Sequence, residues 1–124
     1  MRLPVATEHQ EQVALCRWCK VASGRWPCLA WLYAIPNAGR RRKGAAGRAV
    51  AEGLKAGVPD LVLPAARGRY HGAYIEMKRT RGGKMAPEQV AWRDYLVSAG
   101  YAHARADGWD QARAFLEWYC SGAD

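Results

Sequence analysis

Two acidic residues and a lysine in the middle of the chain have the types and spacing of a hydrolytic metal site. Glu76 and Lys78 lie in residues 73–79, whose composition predicts a β-strand. Strand side chains alternate between two faces, so both would share one face, roughly 6–7 Å apart. Asp60, sixteen positions before Glu76, begins a second predicted strand that can fold back as a hairpin. Two carboxylates meeting there would repel each other, and a hard cation such as Mg²⁺ or Mn²⁺ would remove the repulsion.

The same three residues also have a purely structural interpretation. An acid and a base on one face of an interior strand cost desolvation free energy unless something compensates them. A cross-strand salt bridge would do so without any chemistry. In the catalytic interpretation, Lys78 lies one side chain from the metal and could position a water or stabilise charge on a phosphate. Spacing alone leaves both interpretations open.

Predicted helices and strands alternate along the chain and would position these residues. Thr7 and Gln10 form a capping box for a first helix, whose apolar stripe also carries Glu8 and Glu11. Those two carboxylates therefore face inward or lie at the helix tip. The later predicted elements are a strand at 29–35, a helix at 45–56, hairpin strands at 60–63 and 73–79, a helix from Pro87, a strand at 101–106 and a last helix capped by Asp107. The order α-β-α-β-β-α-β-α predicts one α/β domain over residues 1–124, with a mixed central sheet flanked by helices.

The charge balance favours a polyanionic partner. Nineteen Lys and Arg residues against eleven Asp and Glu residues leave a net charge of +8. Nucleic acid is the commonest such partner, although an anionic membrane or a merely solvated basic surface remains open. Two basic segments are candidates for phosphate contact: Arg40, Arg41, Arg42 and Lys43 after a turn at 36–39, and Arg79, Arg81 and Lys84 after the second hairpin strand.

Several other classes of protein are disfavoured. The longest run without a charged residue, 26–39, is too short to cross a bilayer, and no signal peptide is found, so we expect a cytoplasmic protein without a membrane partner. GxxxxGK[ST], GxGxxG and GxSxG are absent, which argues against a nucleotide cofactor. Cys16 and Cys19 resemble half of a zinc site, but Cys28 and Cys120 could complete it only through the fold, so buried thiols are the favoured interpretation.

The pair Pro59-Asp60 followed by Glu76-Met77-Lys78 resembles the signature of PD-(D/E)xK nucleases. With its surroundings, nearly the whole chain resembles the VRR-NUC family, especially the small stand-alone members of phages and bacteria. Ala38 departs from the pattern, since a glycine is expected after the asparagine. The matching features, in order, are Glu8 four residues before Gln12, the turn at 36–40, residues 57–61, the strand at 74–78, Pro87-Glu88-Gln89 and Gly100-Tyr101.

The resemblance implies a restriction-endonuclease-like core and metal-dependent cleavage of DNA. Lys78 would be the catalytic lysine and Gln89, on the inner face of its predicted helix, a supporting polar residue. Glu11 remains an alternative to Glu8 as the ligand from the first helix. The stand-alone members look like dimers directed to four-way junctions, so we expect a homodimer acting on duplex or branched DNA. A DNA-binding module without cleavage and a zinc-dependent interaction domain are the alternatives. The implied metal ligands are Glu8, Asp60, Glu76 and the carbonyl of Met77, and the DNA contacts are Asn37 and the two basic segments.

Overall fold

A mixed four-stranded sheet with helices around it forms the part of the chain that the computed structural model describes, residues 3–36 and 50–123. The strands are ordered β1-β2-β3-β4, antiparallel up to β3, with β4 parallel to β3. The predicted mixed α/β class is therefore confirmed. The elements are α1 (Glu8–Ala22), a 3₁₀ helix (Pro27–Trp31), β1 (Tyr33–Ala34), β2 (Leu61–Leu63), β3 (Ala73–Lys78), α2 (Pro87–Ser98), β4 (Ala102–Asp107) and α3 (Trp109–Cys120).

The hydrophobic core lies between the sheet and the helices α1 and α3, which also contact each other. The predicted capping box starts α1: the Thr7 N–H donates to Gln10 Oε1 at 2.9 Å, and the Gln10 N–H donates to Thr7 Oγ1 at 3.1 Å. Leu15 of α1, Met77 of β3 and Leu116 of α3 are all buried in this core. No helix within residues 3–36 and 50–123 has the length and apolar character that crossing a bilayer requires.

The strand predicted at 29–35 is wrong over most of its length. Pro27 stands at the first position of a 3₁₀ helix, and the Leu29 N–H donates to the Trp26 carbonyl at 3.0 Å. The tight turn buries Leu29 and leaves Trp31 73% exposed. Only the two residues of β1 pair with β2. A short apolar run fits either a buried strand or a helical turn, and here the proline and the burial of Leu29 favour the turn.

Two predicted helix boundaries also differ. The helix predicted at 45–56 lies largely outside the described residues. Helical geometry is present at Val50 and Ala51 and ends there, before a turn at Gly53, whose φ is +99°, and not at the predicted stop Gly57. Asp107, predicted to cap the last helix, is instead the last residue of β4, and Gly108 precedes α3 with a φ of +94°.

Candidate active site

The β2–β3 hairpin brings Asp60 and Glu76 to the same face of the sheet. Leu61 pairs with Ile75, so continuing the antiparallel register by one residue places Asp60 opposite Glu76. Directly opposed side chains lie about 4.5–5.5 Å apart at Cβ. Both carboxylates are buried, at 5% and 1% exposure. Asp60 Oδ2 accepts a hydrogen bond of 2.7 Å from the Met77 N–H, which ties the end of one strand to the other.

Close packing ahead of Asp60 fixes the approach of the chain to the site. Gly57 has a φ of +85°, and a Cβ built there would lie 2.5 Å from the Cβ of Glu88. Only glycine therefore fits this contact between the segment before Asp60 and the first turn of α2. The contact places the start of α2, which carries Gln89, beside the hairpin.

Gln89 joins the lysine and the glutamate of β3. Its Oε1 accepts from Lys78 Nζ at 3.0 Å and from the Ala86 N–H at 2.8 Å, so the same side chain caps α2. Its Nε2 donates to Glu76 Oε2 at 2.9 Å. Lys78 Nζ itself lies 3.8 Å from Glu76 Oε2, and Lys78 is 6% exposed. This ion pair lies within β3, whereas the structural interpretation expected a salt bridge between two strands.

Both faces of β3 are buried. The prediction that Ile75 and Met77 enter the core is confirmed, at 1% and 0% exposure. Glu76 and Lys78, on the opposite face, are also buried, at 1% and 6% exposure. Burying two charges costs several kcal/mol per ion unless geometry and hydrogen bonds compensate. The hydrogen bonds of Gln89 to Lys78 and Glu76 offset part of this burial cost. A buried polar cluster whose members are hydrogen-bonded to one another is a candidate functional site.

The two acids in the first turn of α1 point to different places. Glu8 lines an open groove together with Lys78, Arg79, Gly82, Gly83 and Lys84. Glu11 is buried, and its Oε1 accepts from the Trp109 N–H at 2.9 Å, at the start of α3. Within residues 3–36 and 50–123, no three His, Cys, Asp or Glu side chains are gathered into one ligand set. The structure thus brings Asp60 and Glu76 together and puts Glu8 in the groove that Lys78 lines.

The chemistry of this donor set fits a hard divalent cation. Asp60 and Glu76 offer carboxylate oxygens on one face of the sheet, and Mg²⁺ is commonly held by one or two carboxylates with waters completing the shell. Met77, whose carbonyl is the fourth predicted ligand, lies between Glu76 and Lys78 and is tied through its N–H to Asp60. The residues that would hold Mg²⁺ or Mn²⁺ are therefore adjacent to the lysine.

The loop after β3 brings the basic residues Arg79 and Lys84 to the groove. Arg79, Arg81 and Lys84 are all exposed, and the loop that carries them folds over Lys78: a Cβ at Gly83 would lie 3.0 Å from the Lys78 Cβ. Arg105 of β4 holds this loop, since its Nη2 donates to the Gly83 carbonyl at 2.7 Å. Sequence reasoning missed Arg105, because only the parallel register reveals that it pairs with Glu76. The predicted DNA contacts Asn37, Arg40, Arg41, Arg42 and Lys43 lie outside the described residues.

Two of the four cysteines, Cys19 and Cys120, are buried, and Cys16 and Cys28 are half-buried. All four are free, and Cys28 Sγ lies 3.6 Å from Cys120 Sγ. Burial raises the pKa of Cys19 to about 12, and burial together with the neighbouring Cys28 raises the pKa of Cys120 to about 12. Zinc binds the thiolate form, and the described residues contain no ligand set for it.

A hairpin that carries Pro59-Asp60 and Glu76-Met77-Lys78 on a mixed sheet is the arrangement that the resemblance to PD-(D/E)xK nucleases implies. The chain matches the VRR-NUC domain over residues 6–109. It is also similar to a solved structure named as a VRR_NUC domain protein, with a TM-score of 0.79 and 28% sequence identity, over 95% of this chain and 91% of that chain. No curated protein matches it. The chain belongs to the VRR-NUC family, and the resemblance noted from the sequence is confirmed.

Proposed function

We propose that this protein is an endonuclease that hydrolyses phosphodiester bonds of DNA with the help of Mg²⁺ or Mn²⁺. A nuclease-type function follows from its family, whereas the metal dependence and the endonucleolytic mode are our proposal. The observation that carries the proposal is the buried cluster of Asp60, Glu76 and Lys78. Within it, Gln89 links Glu76 and Lys78 through hydrogen bonds of 2.9 and 3.0 Å, and Asp60 is bonded to the Met77 N–H.

The proposed roles of the residues are those that the family resemblance implies. Asp60, Glu76, the Met77 carbonyl and Glu8 are the proposed metal ligands. The chemistry that a bound cation supplies is Lewis-acid activation of the attacking water and of the phosphate. The Lys78 ammonium can donate to a phosphate oxygen on which charge develops. Gln89 restricts the rotamers of both Lys78 and Glu76, so that the two groups are oriented before the substrate arrives.

Cleavage assays on defined DNA test this proposal. Labelled single-stranded, duplex, flapped and four-way DNA are incubated with the purified protein and Mn²⁺ or Mg²⁺, and EDTA serves as the control. We expect cleavage that requires the cation. DNA binding without cleavage of any substrate under either metal would favour the alternative, a DNA-binding module on the same fold.

The two basic segments are expected to contact phosphates. Replacing Arg40, Arg41 and Arg42 with Ala, or Arg79, Arg81 and Lys84 with Ala, should weaken binding uniformly across DNA sequences. The slope of log K against log salt should flatten by up to about 0.9 for each phosphate that the variant no longer neutralises. Fluorescence anisotropy over a salt series measures this slope. The control replaces Arg17 and Lys20, exposed on α1 outside the groove. An unchanged slope in both triple variants would place the DNA elsewhere.

A homodimer acting on branched DNA is the assembly that we propose. Trp31 lies just before the edge strand β1 and Tyr33 lies in it, and the two side chains are 73% and 56% exposed. A two-fold dimer through this edge would bury both rings and supply two active sites for two strands. We expect a dimer mass by light scattering at micromolar concentration, faster cutting of four-way junctions than of duplex, and dissociation by Trp31→Glu. Val21→Glu, at an exposed position on α1, is the control. A monomer mass with equal cutting of the two substrates would contradict this assembly.

A further inference from the structure

Glu11 is a buried carboxylate that the proposed mechanism does not use. It is 8% exposed, and its Oε1 accepts from the Trp109 N–H at 2.9 Å. The first N–H groups of a helix have no partner within the helix, and the helix dipole favours an anion there. Gly108, which precedes α3, has no side chain that could cap it. Glu11 therefore caps α3 from another helix, 98 residues away in the chain.

The start of α3 is in turn bonded to the main chain of Lys78. The Gly108 N–H donates to the Lys78 carbonyl at 2.8 Å. A Cβ at Gly108 would lie 2.7 Å from Thr80 Cγ2 and 3.5 Å from Glu11 Oε1. Gly108 is thus held between the Glu11 carboxylate and the segment that follows Lys78. A continuous set of contacts runs from Glu11 through Trp109 and Gly108 to the end of β3.

We propose that Glu11 is a positioning residue for Lys78. By holding the first turn of α3, it keeps the Gly108 N–H on the Lys78 carbonyl and so fixes the direction in which the ammonium leaves β3 toward Gln89. The inference rests on the proposed function of Lys78. The inference gives the two acids on α1 different roles. Glu8 lies in the groove that Lys78 lines, whereas Glu11 acts on Lys78 through Trp109 and Gly108.

Kinetics and metal binding of Glu11 variants test the positioning role. In Glu11→Ala, a misplacement of the lysine by about 1 Å should lower kcat on the order of 10²-fold. The KM for DNA and the Kd for Mn²⁺, measured by calorimetry, should not change. Glu11→Gln keeps an acceptor oxygen for the Trp109 N–H and should restore most of kcat. Asp110→Ala is the matched control, because it removes an exposed acid from the same first turn of α3 and should keep kcat.

Three outcomes of these measurements would overturn the inference. Weaker Mn²⁺ binding in Glu11→Ala would make Glu11 a ligand. An equal loss of kcat in Glu11→Gln and Glu11→Ala would show that the charge, and not the hydrogen bond, matters. If Glu11→Ala does not fold, Glu11→Asp keeps the charge but withdraws the oxygen by one methylene, and wild-type kcat in that variant would contradict the role.

Amide hydrogen exchange tests the same contacts without cleavage. We expect Glu11→Ala to accelerate exchange at both Trp109 and Gly108 by about tenfold or more, while Glu11→Gln and Asp110→Ala leave both unchanged. Acceleration at Trp109 alone would break the link to Lys78 and overturn the inference. If the wild-type protein does not cleave DNA but the exchange pattern is as expected, the proposed function fails and the structural link from Glu11 to Lys78 stands.

Discussion

Glu76→Gln and Asp60→Asn are each expected to abolish cleavage while the protein remains folded. Each substitution removes one formal charge from the proposed cation site and hardly changes the shape of the side chain. An amide oxygen can still accept from the Met77 N–H in place of Asp60 Oδ2, or from Gln89 Nε2 in place of Glu76 Oε2. We expect kcat to fall by more than about 100-fold, the upper range for losing a residue that only supports a metal ligand. The measurement is the initial rate on a labelled junction at saturating Mn²⁺.

A matched control separates the loss of a ligand from a general change of charge. Glu88→Gln removes the same charge from an exposed position next to Gln89 in α2, and it should cleave at the wild-type rate. Calorimetry should show weaker Mn²⁺ binding in Glu76→Gln and Asp60→Asn but not in Glu88→Gln. Wild-type cleavage by both site variants, with melting temperatures unchanged, would contradict the assignment of the site.

The hairpin and its carboxylates were predictable because they depend on local rules. The alternation of side chains along residues 73–79 places Glu76 and Lys78 on one face of the strand. A hairpin of this length brings Asp60 beside Glu76 on that face. The capping box at Thr7 and the inward direction of Gln89 follow from helical spacing alone. The structure bears out each of these placements.

The features that escaped prediction depend on partners distant in sequence. Helical spacing puts Glu8 and Glu11 on one stripe. Their surroundings differ only because α3 begins beside Glu11, 98 residues later in the chain. Arg105 likewise gains its hydrogen bond to Gly83 from the parallel pairing of β3 and β4. The apolar run at 29–35 has no clear period, so the packing of Leu29 decides its conformation. Long-range register and packing, unlike spacing, cannot be read from a single sequence.

Lys78→Ala is expected to lose cleavage and to keep metal binding. The ammonium is not a ligand, and its proposed role is to stabilise charge that develops on the phosphate. Removing one such preorganised donor lowers kcat by about 10²–10³-fold in comparable sites. Lys78 Nζ lies 3.8 Å from Glu76 Oε2, and a positive charge so close competes with a bound cation. The Kd for Mn²⁺ should therefore stay the same or decrease in Lys78→Ala, whereas it should increase in Glu76→Gln.

Two further variants separate the loss of the Lys78 ammonium from a packing defect and from a general change of charge. Lys78→Met fills the space that Lys78→Ala empties, so an equal loss of cleavage in the two variants excludes a cavity as the cause. Lys20→Ala, at an exposed position on α1, removes a charge of the same sign and should leave kcat unchanged. Single-turnover cleavage and calorimetry with Mn²⁺ are measured on all four proteins. If Lys78→Met remains folded but binds no Mn²⁺, the lysine organises the ligands themselves. The lysine ammonium repels a bound cation, so losing its charge should not by itself weaken Mn²⁺ binding. That outcome would therefore mean that Lys78 acts by holding Glu76 and Gln89 in place. Its proposed role, stabilising charge on the phosphate, would then be wrong.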